Sequence, residues 1–186
     1  MLEYEKKLII TQREYENIVT EYLPSKTIRQ TNYYYDTENL SLNRAGITFR
    51  IREIEDVLTV TVKRHRINDK ECSDEISYPV LEITHSINFE DKKLKLMGVL
   101  VSERSILLHN GNLECTVDKN IYLGQVDYEL EIEFLPEKAI EAEILYRNIT
   151  KKINKNDVDI PKTKSERFFE KYVELNRRGG FLLGKR

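Results

Sequence analysis

The hydrophobic and polar positions of this chain alternate in several stretches, and the polar partners there are charged. Glu3, Glu5 and Lys7 stand two apart ahead of the apolar run Leu8-Ile9-Ile10. Arg50 and Arg52 flank Ile51, and Glu129, Glu131 and Glu133 alternate with Leu130, Ile132 and Phe134. Successive side chains of a strand point to opposite faces, so each charged set shares one face and the apolar residues share the other. If the charged faces converge, carboxylates and guanidiniums meet inside the fold, a mixture that suits a metal ion with a polyanion.

Strand patterns cover residues 2–10, 32–37, 46–53, 57–66, 74–80, 101–109, 113–119 and 125–134. Helical patterns punctuate them. Thr11-Gln12-Arg13-Glu14 is a capping box, followed by the stripe Tyr15, Ile18, Val19, Tyr22 and closed by Pro24. A short helix is expected over 90–97, before Gly98. A longer one is expected over 137–152, with Ile140, Ile144 and Tyr146–Ile149 toward its buried side. A last helix begins near Ser165 and carries Phe168, Phe169 and Tyr172. Asn110-Gly111 marks a hairpin turn. The expected fold is α+β and mainly β: an eight-stranded antiparallel closed barrel with helices packed outside. The outward strand faces would then be apolar, and the inward faces free to line a tunnel. One domain is expected over 1–175, with 176–186 as a flexible basic tail.

Composition sharpens this picture. In 186 residues, 33% are charged, above the roughly 25% of ordinary globular chains, yet 30 basic residues against 32 acidic leave a net charge of −2. A general basic coat is absent, so no nucleic-acid partner is expected, and any polyanion site must be a local concentration of charge. Cys72 and Cys115 form no metal or disulfide spacing and read as buried packing. No apolar stretch reaches the ~20 residues of a membrane span. With the acidic start, these features give no membrane partner and a cytoplasmic location as the expectation.

The strand 58–64 places Leu58, Val60 and Val62 on one face and Thr59, Thr61 and Lys63 on the other; the strand 113–118 alternates Glu114, Thr116 and Asp118 with Cys115 and Val117. Glutamates on neighbouring strands suit a hard cation such as Mg²⁺ or Mn²⁺. Arg and Lys suit phosphate oxygens. His65, His85 and His109 show no ligand spacing, and seven glycines form no phosphate-binding loop. Tyr33-Tyr34-Tyr35 reads as packing on alternate faces.

Taken in order, Glu3-x-Glu5-x-Lys7, Asn32-Tyr33-Tyr34-Tyr35-Asp36-Thr37, Gly46-Ile47-Thr48-Phe49-Arg50-Ile51-Arg52, Leu58 to Lys63, Asp118, the strand 129–133 and Lys162-Thr163-Lys164-Ser165 resemble the CYTH superfamily, also called triphosphate tunnel metalloenzymes. The resemblance covers about residues 1–173. It implies an eight-stranded tunnel that binds triphosphates with Mg²⁺ or Mn²⁺. Members include inorganic, thiamine and RNA triphosphatases and class IV adenylate cyclases. Carried over, Glu3, Glu5, Asp118, Glu131 and Glu133 would hold metal, with Asp118 alternatively orienting a basic residue. Lys7, Arg50, Arg52, Lys63, Arg104 and Lys164 would grip phosphates, and Glu5, Glu131 and Lys63 would be catalytic. Cys72-Ser73-Asp74-Glu75 departs from the family's Arg-x-Glu pattern, lacking its cation. The activity implied is hydrolysis of a small triphosphate, inorganic or thiamine triphosphate. A class IV adenylate cyclase and a non-catalytic polyphosphate- or nucleotide-binding module are the alternatives, and a homodimer is left open.

Overall fold

The computed structural model describes residues 2–66, 69–155 and 161–183; the side chains of 2–3, 65–71 and 178–183 lie outside that description. Among the described residues nine strands form: β1 (Leu2–Ile10), β2 (Lys26–Asp36), β3 (Ile47–Ile54), β4 (Val57–Arg66), β5 (Asp69–Val80), β6 (Ser86–Phe89), β7 (Lys92–His109), β8 (Leu113–Tyr122) and β9 (Gln125–Phe134). Eight of them close into an antiparallel barrel in the order β2-β3-β4-β5-β1-β9-β8-β7, with β7 pairing back to β2 and β6 added along β7. Four helices accompany them: α1 (Gln12–Tyr22), α2 (Ser41–Arg44), α3 (Ala139–Lys152) and α4 (Lys164–Leu183).

The expected barrel with its helices is therefore present, with differences that have local causes. The helix expected over 90–97 is a turn followed by β7. Glu90 sits at φ 52°, and Lys93, Leu94 and Lys95 alternate exposed, buried, exposed, which is the two-residue period of a strand. β2 begins at Lys26 instead of 32, and β7 at Lys92 instead of 101. The extra residues gain their ladder across the two strands: Lys26 to Thr31 pair with Ile106 to Val101, and Leu100 to Lys95 pair with Asn32 to Asp36. The strand expected from 74 begins at Asp69. Ile140 and Ile144 face solvent, because α3 turns Ala142, Tyr146 and Ile149 to the barrel. α4 runs on to Leu183, past the Leu175 at which the domain was expected to end.

The capping box of α1 forms as expected: the Glu14 amide donates to the Thr11 hydroxyl and the Thr11 amide to the Glu14 carboxylate. α2 is held by Asp36, which is fully buried and accepts from the amides of Thr37, Leu42 and Asn43.

Much of the outward strand surface is apolar and covered, although Ile76 and Tyr78 of β5 remain exposed. Leu8, Ile10, Val117, Leu130 and Ile132 pack under α1 and α3, while Phe49, Ile51, Val60 and Val62 pack with Leu42 and Leu94. Inside the barrel the wall is not uniformly polar. At one end Tyr34, Leu100 and Tyr122 point inward and pack against Phe168 and Phe169 of α4. The Tyr34 and Phe168 rings lie 4.8 Å apart, and the start of α4 lies across this end of the barrel. Each such ring contributes about 1.5–3 kcal/mol by burial.

Candidate active site

The ionic residues occupy the middle of the barrel, where register sets their neighbours. Glu5 of β1 pairs with Glu133 of β9, and Lys7 with Glu131. Arg104 of β7 pairs with Asp118 of β8, and Asp118 with Glu129. Arg50 of β3 pairs with Thr61 of β4, and Lys63 with Glu75 of β5. A cavity of about 50 Å³ at their centre is lined by Glu5, Lys7, Arg50, Arg52, Lys63, Arg104, Glu131, Glu133 and Lys164, with Tyr34, Thr48, Thr163 and Ser165. Asp118 lies fully buried behind this lining. Every candidate side chain with described coordinates thus comes to one site. Glu3 is on β1 beside Ser73, but its side chain is outside the described residues, as is that of His65.

Two electrostatic regions divide the lumen. In the first, cations and carboxylates are matched. Lys164 reaches Asp118 at 2.8 Å, Glu129 at 2.6 Å and Glu131 at 2.7 Å. Arg104 donates twice to Asp118, Nε at 3.0 Å and Nη2 at 2.8 Å, and also contacts Glu131. Arg167 adds bonds to Asp127 and Glu129. Burial alone would raise the Glu131 carboxyl, but Lys164, Arg104 and Lys7 together hold it well below the usual carboxylate range. The same carboxylates outweigh burial at Arg104 and Lys164 and keep both firmly charged. Both Asp118 oxygens accept from Arg104, and Lys164 approaches one of them as well.

The second region carries charge with few partners. Arg52 is held through its Nε by the neutral Asn32 amide oxygen at 3.1 Å. Burial, then the nearby Arg50 and Arg104, push its guanidinium down to about 10. Among the described residues, the only carboxylate within 4.0 Å of Arg50 is that of Glu75, at 3.9 Å, and its Nε is buried with no hydrogen-bond partner. The Tyr34 hydroxyl is likewise buried and unpartnered. Unsatisfied buried donors are costly, so side chains arranged this way suit a ligand rich in acceptors.

Between the regions stands Glu5, 2.8 Å from Lys7 and 3.6 Å from Lys63. Its carboxyl is raised, first by burial and then, against Lys7, by Glu131. One carboxylate oxygen each from Glu5, Glu131 and Glu133 lies within 4.8 Å of the others. These are hard oxygen donors in the arrangement a small divalent cation takes. Asp118, Glu129 and Glu131 form a second close group, but there the ammonium of Lys164 contacts all three.

Arg167, Thr48, Asn32 and Tyr34 were not picked out as site residues from the sequence. Arg167 had a signal, since it lies three residues beyond Lys164 and therefore on the same helix face. Tyr34 had one too: it pairs with Arg50, so it shares the lumen face, while Tyr33 and Tyr35 face outward.

A closed barrel whose interior joins a carboxylate cluster to guanidiniums with few carboxylate partners presents groups for both a cation and a polyanion. The match to known proteins agrees: the family model for the CYTH domain fits residues 1–165, and the chain belongs to that family. No curated protein matches the chain. Solved structures share its fold. A proposed adenylate cyclase from Bacillus halodurans is 22% identical with a TM-score of 0.73, the match covering 90% of this chain and 97% of that one. A proposed adenylyl cyclase from Hippeastrum, described as having a dominant triphosphatase activity, is 16% identical with a TM-score of 0.63, covering 91% and 95%. A Pyrococcus horikoshii protein is 18% identical with a TM-score of 0.61, covering 99% of each chain. Among the described residues no helix is long and apolar enough to cross a membrane.

Proposed function

We propose that the protein hydrolyses a small triphosphate in this tunnel with the aid of Mg²⁺ or Mn²⁺. The observation that carries the reading is the pair of half-buried guanidiniums, Arg50 and Arg52, lining the same cavity as the Glu5, Glu131 and Glu133 carboxylates. Phosphate oxygens would satisfy the first group, and a divalent cation the second. The described activity of the Hippeastrum protein supports a triphosphatase over a cyclase.

Arg50 and Arg52 bind and orient the phosphate chain. Lys7 and Lys63 now lean on Glu5, and they exchange that partner for phosphate oxygens as substrate enters. Glu5, Glu131 and Glu133 would hold the cation, and Glu3, two residues before Glu5 on β1, joins them on the strength of the sequence pattern alone. When bound, the ion offsets charge on the phosphate oxygens. Arg104 and Lys164 keep Glu131 ionised for that purpose, and Asp118 keeps Arg104 and Lys164 in place. Water attacks the terminal phosphorus, the bond to the bridging oxygen breaks, and the Glu5 carboxylate accepts the water's proton. Lys63 and the two arginines stabilise the charge gathering on the leaving phosphate.

The test is phosphate release from inorganic triphosphate, thiamine triphosphate and ATP with Mg²⁺ or Mn²⁺, with product separation. Glu131→Gln and Glu5→Gln are each expected to lower the rate by about 10²–10³-fold, the usual cost of one well-placed electrostatic group. Cyclic AMP and pyrophosphate from ATP would overturn hydrolysis in favour of cyclisation. Tight triphosphate binding with no turnover under either metal would overturn it in favour of a binding module.

A further inference from the structure

Lys164 meets three buried carboxylates, Asp118, Glu129 and Glu131, from the first residue of α4. The opening turn of a helix lacks part of its own backbone ladder, so its placement has to come from side-chain ties. Two such ties bracket Lys164. Ser165 and Thr48 of β3 share a hydrogen bond, with 2.8 Å between their hydroxyl oxygens. Arg167, one turn on, faces the same side as Lys164. Its Nη1 donates to the Lys162 carbonyl at 2.7 Å and so grips the backbone just ahead of Lys164. Its Nε and Nη2 donate to Asp127 at 2.9 and 3.2 Å, and Nη2 also donates to Glu129 at 3.0 Å. One guanidinium thus joins the entry of α4 to the wall of β9. The planar fork makes this possible, because its donors point to separate partners at once.

Asp127 shares the lumen face of β9 with Glu129 and Glu131, yet it does not line the central cavity and belongs to neither close carboxylate group. Its two oxygens are taken by Arg167, by the Tyr122 hydroxyl at 2.7 Å and by the Asn120 amide at 2.9 Å. Arg167 does not line the cavity either. We infer that Arg167, oriented by Asp127, is a positioning residue of the proposed reaction: with the Thr48–Ser165 bond it seats the first turn of α4, so that the Lys164 ammonium stands against Glu131. It acts through Lys164 and touches no reacting atom. This rests on the triphosphatase reading and deepens it.

Arg167→Met, Arg167→Lys and Asp127→Asn in the full chain test the inference. Phosphate release is measured from inorganic triphosphate, thiamine triphosphate and ATP with Mg²⁺ or Mn²⁺, well below the lowest Tm of the set. Arg167→Met is expected to lower kcat by about tenfold to a hundredfold, the cost of slightly misplacing a group at a reacting centre. Calorimetric binding of inorganic triphosphate without metal should stay near the wild-type affinity, because Arg50 and Arg52 on β3 are untouched. Arg167→Lys keeps the charge but cannot reach the Lys162 carbonyl, Asp127 and Glu129 together, so kcat should stay low even where Tm recovers. Asp127→Asn should lower kcat in the same direction by less. Wild-type kcat in Arg167→Met, full rescue of kcat by Arg167→Lys, or a loss of inorganic triphosphate binding as large as the loss of kcat would overturn the inference and leave the tunnel reading standing. If the wild type releases phosphate from none of the three substrates, both fail.

Discussion

Lys164→Met removes the one cation shared by three buried carboxylates. In the native site its ammonium lies 2.6–2.8 Å from Asp118, Glu129 and Glu131. Arg104 still bonds Asp118 and Glu131, and Arg167 still bonds Glu129, so the carboxylates are left underpaired but not isolated. Breaking a buried pair by deleting one partner costs about 3–5 kcal/mol. For a chain of this size each kcal/mol lowers Tm by roughly 2–4 °C, so a fall of roughly 6–20 °C at pH 7 is expected. The pH dependence carries the physical cause. Wild-type Glu131 has a depressed carboxyl, so its stabilising share is present above the usual carboxylate range and is lost as pH falls through its folded value. In the variant the underpaired carboxyls titrate higher and are relieved by protonation. The gap between the two melting curves should therefore narrow as pH falls from 7 toward the ordinary carboxylate range. Glu129→Gln added to Lys164→Met should restore part of the loss at pH 7. Thermal unfolding followed by circular dichroism reads all three. A destabilisation too small to shift Tm, or one independent of pH, would refute the claim that these charges are matched in a desolvated interior.

Four further outcomes follow from the geometry. Arg52→Leu should weaken triphosphate binding by at least tenfold in calorimetry and flatten its salt dependence, because among the described residues the guanidinium donates to the neutral Asn32 amide and to no carboxylate. Gly98→Ala should destabilise by about 1–3 kcal/mol in denaturant unfolding: Gly98 is at φ 154°, and a Cβ there would lie 2.9 Å from Phe168 Cζ. Cys72 and Cys115 should resist thiol reagents in the native protein and react on unfolding. Burial pushes the Cys115 thiol up to about 12. Its stabilising share is full below the unfolded value near 9 and is lost as pH rises from there toward 12. Alkaline unfolding of Cys115→Ala should lack that component.

Much of the site was legible because it lies on strands, where a two-residue period fixes facing. The alternations at 3–7, 50–52 and 129–133 gave the lumen before any coordinates. The terminal halves of β2 and β7 were less legible. Lys26 to Thr31 become strand by pairing with Ile106 to Val101, and Lys95 to Val99 by pairing with Asp36 to Tyr33 across the barrel seam, which no local pattern announces. For Asp118 the sequence left two roles, metal ligand or orienting partner of a basic residue; which cations it meets was not legible, since Arg104 comes through the β7–β8 register and Lys164 from the start of α4. The apolar filling around Phe168 was missed for a related reason, since Tyr34, Leu100 and Tyr122 look like outward core residues until the faces are counted from Arg50 and Arg104.

The antiparallel seam between β1 and β9 joins Glu5 to Glu133 and Lys7 to Glu131. Those partners come from the opening and the later part of the chain. On the ribosome the first strand must therefore wait, with one ladder edge bare, until β9 has emerged. α4, which supplies Lys164, comes later still. A nascent chain halted before that helix has no complete set of counter-charges, and is a natural target for chaperones.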